Sequence, residues 1–178
     1  ERKAKGHILL YKILAETDEI QNLKDKYWHK LIATLGRSQA EAIDLLLSDA
    51  SEHIRDETIS HGSILSLADK ERLFRLGLQD HSSLVRSSLP RILLDIHEND
   101  SALAQQGLEA LINDPDSKVR SSVLKFLVGL GSSNELLSQS YYHRLLKDPD
   151  KWVRRETLRS IGIVSSGTID NVFEIVSM

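Results

Sequence analysis

Residues 113–120 read Asn113-Asp114-Pro115-Asp116-Ser117-Lys118-Val119-Arg120, and residues 147–154 read Lys147-Asp148-Pro149-Asp150-Lys151-Trp152-Val153-Arg154. The two stretches stand 34 positions apart and share an Asp-Pro-Asp turn followed by an aliphatic–Arg pair. Asp80 with Val85-Arg86 falls 34 positions earlier, Asp49 with Ile54-Arg55 a further 31, and Asp18 with Leu23-Lys24 a further 31. One element, Asp, four residues, an aliphatic and then a basic residue, therefore recurs five times in frame. Self-similarity at such a period marks units that bury their apolar faces by stacking on one another.

The surroundings of each copy are helical. Apolar segments precede the Asp at 8–14, 42–47, 73–78, 103–112 and 136–146, and others follow the basic residue at 23–35, 54–67, 84–96, 119–130 and 153–164. Val119, Val123, Phe126, Leu127 and Leu130 follow the spacing of one helix face. Asp116 and Asp150 stand at predicted helix starts, and Pro115 and Pro149 suit a first turn, where a missing N–H is tolerated. Pro90 falls inside the second helix of the third unit and predicts a kink there. Gly129-Leu130-Gly131 predicts a helix C-cap.

This order of helix, short Asp-containing turn and helix opening on an aliphatic–Arg pair resembles the HEAT repeat of the armadillo-like superfamily, over about residues 5–166. Its units of 31 to 34 residues are shorter than the usual period of roughly 40 and look more like the compact HEAT-like repeats of phycobilisome-lyase type. The Trp/Leu-Gly/Tyr pattern of tetratricopeptide repeats and the Thr-Pro-Leu-His of ankyrin repeats are absent. The resemblance implies an all-α fold, a right-handed α-α superhelix or solenoid. Its repeats cover about 5–36, 38–67, 69–98, 101–131 and 133–166, with a partial sixth at 168–178. The whole of 1–178 is expected to be one solenoid segment and a fragment of a longer chain: Glu1 is not a Met, and Ile169, Val172, Phe173 and Val176 would need a further unit or a partner to cover them.

The resemblance also implies a structural ladder in which the Arg of one unit bonds the Asp of a neighbour. Asp49, Asp80, Asp114, Asp148, Arg55, Arg86, Arg120 and Arg154 are assigned to it. Function is then expected on the outward side of the second helices, which line the concave face of HEAT-like solenoids. At about 100° per residue, Lys118, Ser121 and Lys125 point away from the fourth unit's core stripe. Repeat offsets carry this face to Leu84, Ser87 and Arg91, and to Trp152, Arg155 and Arg159. They also carry it to His53, Asp56 and Ser60, and to Asn22, Asp25 and His29. The face is neutral to acidic in the first two units and basic in the last three. The candidate binding residues are Leu84, Arg91, Lys118, Lys125, Trp152, Arg155 and Arg159, and Arg91, Lys125 and Arg159 share one repeat column.

Composition narrows the classes. There are 23 Lys+Arg, 26 Asp+Glu, a formal charge of −3 and no Cys. That excludes a disulfide framework, thiolate metal sites and a cysteine nucleophile, and it argues against a generically basic nucleic-acid coat. No apolar run approaches the roughly 20 residues of a membrane span, and no secretory signal is recognisable. A cytoplasmic setting is expected, with the nucleus as the other option. The seven His residues make no His-x3-His pair, and neither a phosphate-binding loop nor a dinucleotide fingerprint occurs. Neither a metal, a cofactor nor a catalytic residue is expected. Of Tyr141 and Tyr142, one is expected to face inward and the other to flank an interface; Trp28 is expected to pack between units.

The function read from this pattern is a non-catalytic protein-interaction scaffold whose partner carries an acidic segment. The alternative is a nucleic-acid-binding groove. Its model is the HEAT-like alkylpurine DNA glycosylases, which use a basic groove, aromatic residues and a carboxylate; Trp152, Arg155, Arg159 and Asp148 would be the counterparts.

Overall fold

The structure is a computed structural model that describes residues 39–130 and 135–164. The first repeat, the partial sixth, Trp28 and the apolar residues at 169–176 lie outside the described residues. The chain divides into two compact units, residues 1–92 and 93–178. The described residues are all-α: helices, one short 3-10 turn and no strand.

In the first unit, α1 (Gln39–Leu47) leads through the Asp49 turn into α2 (Glu52–Ser60). A 3-10 turn (Gly62–Ile64) connects to α3 (Leu67–Leu78), which Ser66 caps by accepting the Asp69 amide. The second helix of this repeat was expected to run from 54 to 67. It ends at Ser60, where the His61 amide closes back on the Glu57 carbonyl and Gly62 follows. Gly62 has no room for a side chain: an added Cβ would sit 2.6 Å from Leu73 Cδ2 and 2.9 Å from Ile92 Cγ2. The Asp80 turn leads into α4 (Ser83–Ser88) and then α5 (Pro90–Asn99).

In the second unit, α6 (Ser101–Ile112) is capped by Asp100 and followed by the Asp114 turn. Next come α7 (Ser117–Ser122), α8 (Leu124–Leu130), α9 (Glu135–Leu146), the Asp148 turn and α10 (Lys151–Val164). Within the first unit α1 packs on α2 and α3, and α2 on α4. Within the second, α6 packs on α7, α9 on α8 and α10, and α10 on α7 and α8. Each core is aliphatic. Ile43, Leu46, Ile54, Leu73, Phe74 and Val85 are buried in the first, and Val119, Val123, Phe126, Leu127 and Leu130 in the second.

Three local expectations change. Pro90 does more than kink its helix, because α4 and α5 are separate helices divided at Leu89. The same break divides α7 from α8 at Val123, one repeat later, where Leu124 stands in place of proline. Serine hydroxyls bond the backbone just before both breaks, although Ser140 makes the same kind of bond inside the unbroken α9. Ser87 donates to the Leu84 carbonyl, Ser121 to Lys118 and Ser122 to Val119, each three residues back. Such bonds compete with the regular helix ladder. At the positions equivalent to the break residues Leu89 and Val123, α2 carries Thr58 and α10 carries Thr157; these bond four residues back, to Ile54 and Val153, and both helices run through. Second, Pro115 precedes the N-cap Asp116 and so lies outside the first helical turn. Third, Gly129 sits inside α8, where a Cβ would lie 2.7 Å from Leu94 Cδ1; its role is close packing, and Gly131 is outside the described residues.

Candidate functional site

The four described turns are built alike. The turn aspartate accepts the amide two residues on: Ser51 to Asp49 at 3.0 Å, Ser82 to Asp80 at 2.8 Å, Asp116 to Asp114 at 2.9 Å and Asp150 to Asp148 at 2.8 Å. The arginine six residues on returns its Nη1 to the aspartate's own carbonyl: Arg55 at 2.7 Å, Arg86 at 2.8 Å, Arg120 at 2.9 Å and Arg154 at 2.6 Å. The fixed spacing in the sequence is the spacing that lets one guanidinium reach around one turn.

Two of these arginines use the rest of the guanidinium to grip the next aspartate. Arg55 Nε and Nη2 donate to Asp80 Oδ2 and Oδ1 at 2.6 and 3.0 Å. Arg120 Nε and Nη2 donate to Asp148 Oδ2 and Oδ1 at 2.7 and 2.9 Å. Parallel two-bond pairs of this kind are the strongest charge-assisted hydrogen bonds. Burial pushes the Asp80 and Asp148 carboxyls up, yet the arginine hydrogen bonds, the turn amide and the arginine charge bring both below the usual carboxylate range. The hydrogen bond to its aspartate in turn raises Arg55 and Arg120. A cleft of about 560 Å³ opens beside Arg55 and Asp80, and one of about 330 Å³ beside Arg120 and Asp148. On the rim of the first, Arg72 grips Asp44 at 2.6 and 2.9 Å.

The outward residues divide by unit. Leu84 is half-buried, and Arg91 is exposed but donates to Ser60 Oγ at 2.6 Å. Beside it Asp56 accepts from Ser88 Oγ; burial raises the Asp56 carboxyl, against the lowering effect of Ser88 and the Arg91 charge. Arg91 is therefore tied to α2 of its own unit. In the second unit Lys118 and Lys125 are exposed, with no side-chain partner among the described residues. Trp152 is 49% exposed, and the Arg155 guanidinium lies 4.1 Å over its ring. Arg155 and Arg159 both approach Glu156, at 3.4 and 3.5 Å. This is a cation–π pair on open surface, with Glu156 beside both arginines.

Some expectations do not meet. Asp148, the carboxylate of the glycosylase-like reading, is buried with one oxygen taken by Arg120 Nε and the other shared between Arg120 Nη2 and the Asp150 amide. Tyr141 and Tyr142 are both buried; burial, with Glu109 adding for Tyr141, pushes each phenol up to about 12. The spacing of the pair gave no warning of this, because two adjacent helical residues rarely both face inward. Arg144, stacked 5.5 Å from the Tyr141 ring and donating to Glu109 at 2.6 Å, was also missed. No group of three or more metal-ligating side chains occurs among the described residues, and no helix there is long and apolar enough to cross a membrane.

Comparison of the chain with protein-family models, with curated proteins and with solved structures finds no match.

Proposed function

We propose that the chain is a HEAT-like helical-repeat solenoid acting as a non-catalytic protein-interaction scaffold. Its binding face is the outward side of the second helices, and the strongest part lies on α7, α8 and α10. The observation that carries this reading is the Trp152–Arg155 stack, half-exposed on open surface. The architectural arginines Arg55 and Arg120 are consumed by buried carboxylates, so their charge is turned inward. Lys118 and Lys125 are left to act on a partner, and Arg159 shares its charge with Glu156. Tryptophan and arginine are the side chains that dominate binding hot spots. The partner is a protein segment rich in Asp and Glu with an apolar side chain to lie on Trp152. Arg91, held by Ser60, contributes less than its repeat column suggests.

The test is a fluorescence anisotropy titration of the chain with a labelled peptide of alternating acidic and aliphatic residues, alongside a labelled single-stranded DNA. Peptide binding should fall at least tenfold in Trp152→Ala and in Arg155→Glu/Arg159→Glu, with the DNA unbound at low salt. Salt-sensitive DNA binding without peptide binding would sink the scaffold reading in favour of a nucleic-acid groove.

A further inference from the structure

Outward residues of consecutive second helices meet at the repeat offset. In the first unit Ser60 on α2 and Arg91 on α5 stand 31 positions apart, and the Arg91 guanidinium donates to Ser60 Oγ at 2.6 Å. Asp56, one turn earlier on α2, accepts from Ser88 Oγ and feels the Arg91 charge. The cation there has acceptors beside it. In the second unit the same columns hold Lys125 on α8 with Arg159 on α10, and Ser121 on α7 with Arg155 on α10, each pair 34 apart. Helix α10 packs on both α7 and α8. Ser117, at the start of α7, hydrogen-bonds the Asp150 carboxylate that accepts the Trp152 amide. A second cation, Lys125, thus takes the place of the acceptor Ser60, and Ser121 takes that of Asp56.

The lost acceptors are not replaced. Lys125 is exposed and has no side-chain partner among the described residues. Glu156 approaches Arg155 and Arg159 at 3.4 and 3.5 Å, and the two arginine side chains stay 59% and 71% exposed. Both distances lie beyond the roughly 3.2 Å limit of a good N–H···O bond. One carboxylate therefore faces two guanidinium groups with an ammonium in the adjoining column. Like charges at neighbouring positions repel, and an anion between them removes the repulsion. A carboxylate brings a single charge and leaves the Lys125–Arg159 pair half neutralised. A phosphate monoester brings about −1.5 to −2 at neutral pH and three acceptor oxygens, enough for one cation on each helix. Trp152 lies seven residues before Arg159, about 10 Å at the helical rise. About three residues of an extended segment cover the same span.

We infer that Lys125 and Arg159 form a seat for a phosphorylated serine or threonine of the partner, about three residues from the aliphatic side chain that lies on Trp152. The inference rests on the scaffold reading and adds its regulation: phosphorylation of the partner turns docking on. Both helices that form the seat, α8 and α10, lie in one compact unit. Arg159 takes the phosphate with its planar fork and Lys125 takes it as a point charge. Glu156 is then left to Arg155, which stays over the Trp152 ring. A nucleic acid is the poorer occupant, because each phosphodiester carries one charge and neutralises only one member of the pair.

The test uses the full chain and three fluorescein-labelled peptides of alternating acidic and aliphatic residues, identical except for a central serine, aspartate or phosphoserine. By anisotropy the phosphoserine peptide should bind at least tenfold tighter than the aspartate peptide. Lys125→Gln/Arg159→Gln should reduce that preference to within twofold. Lys147→Gln, which removes an exposed cation on the Asp148 turn, should leave it intact. Trp152→Ala should weaken the phosphoserine and aspartate peptides by the same factor. Lowering the pH through about 6, the second pKa of a phosphate monoester, should weaken the phosphoserine peptide alone. Equal affinity for phosphoserine and aspartate, or a phosphoserine preference that survives Lys125→Gln/Arg159→Gln, would overturn the phosphate seat and leave the scaffold reading standing. Failure of all three peptides to bind would overturn both. Displacement of the phosphoserine peptide by single-stranded DNA at matched phosphate concentration, with no loss of binding near pH 6, would assign the seat to a nucleic acid and overturn the partner inferred here.

Discussion

The Arg55–Asp80 pair in residues 39–92 and the Arg120–Asp148 pair in residues 93–164 are the same device in different surroundings. Both use Nε and Nη2 for the carboxylate and Nη1 for the turn carbonyls. The faces beside them diverge. In the first region Arg91 is drawn onto Ser60 next to Asp56, while in the second Lys118 and Lys125 stand clear and Arg155 lies on an open Trp152. Repetition preserves the groups that hold helix pairs together and releases the outward column to vary. The residues that repeat are thus a poor guide to what the chain binds, and those that break the repeat are a good one.

The largest effect expected is from removing a ladder arginine. Arg55 is 2% exposed, and deleting it strands the buried Asp80 carboxylate and the Asp49 and Ala50 carbonyls. Breaking a buried pair by removing one partner costs about 3–5 kcal/mol. Arg55→Ala and Arg120→Ala should both fall in that range by urea denaturation. Arg55→Ala should fall lower, because Arg120 retains more solvent. Equal midpoints for wild type and both variants would mean that the ladder is decorative.

Next comes acid. The folded-state Asp80 and Asp148 carboxyls lie below the usual range, so their contribution is fully present above the unfolded value of about 3.9 and is lost as pH falls through the folded one. Stability should therefore decline below about pH 4, and the decline should flatten in Asp80→Asn/Asp148→Asn when both are followed by circular dichroism. A smaller effect is expected at the helix breaks. Pro90→Ala should leave α4 and α5 divided and change stability by less than about 1 kcal/mol, because Val123 divides α7 from α8 without a proline. A continuous helix in that variant, seen by amide exchange at Leu89 to Arg91, would return the cause to proline.

Much of the architecture was legible because it rests on fixed spacings. The Asp-x4-aliphatic–Arg element encodes a turn in which one guanidinium must reach a carbonyl six residues back, and only that spacing closes it. The stripe through Val119, Val123 and Leu130 is buried as its periodicity predicts. What stayed hidden depends on neighbours outside the local window. The break at Val123 coincides with the bonds of the Ser121 and Ser122 hydroxyls to carbonyls three residues back, which the sequence does not announce. The two-bond grip of Arg120 on Asp148 is invisible in a motif that names neither partner nor neighbour. Lys125, Arg159 and Arg91 share a column, yet Arg91 is held by Ser60 one repeat earlier and Arg159 approaches Glu156 on its own helix.

Asp56 gives the finest test of that last point. Burial raises its carboxyl, outweighing the Ser88 hydrogen bond and the Arg91 charge. A raised folded value means that the folded state takes the proton first, so this group adds stability as pH falls through its folded value and subtracts some at neutral pH. Asp56→Asn should thus leave the neutral-pH midpoint unchanged or raise it by less than about 1 kcal/mol, and should remove the gain on mild acidification. It also deletes the negative charge beside Arg91, leaving only Ser60 to hold the guanidinium. The first region would then present a cation as the second does, and acidic-peptide binding should strengthen modestly, by about twofold for one exposed charge. A midpoint that instead falls by several kcal/mol would mean that Asp56 is part of the ladder's architecture, and the contrast between the two faces would need another origin than the charge one repeat earlier.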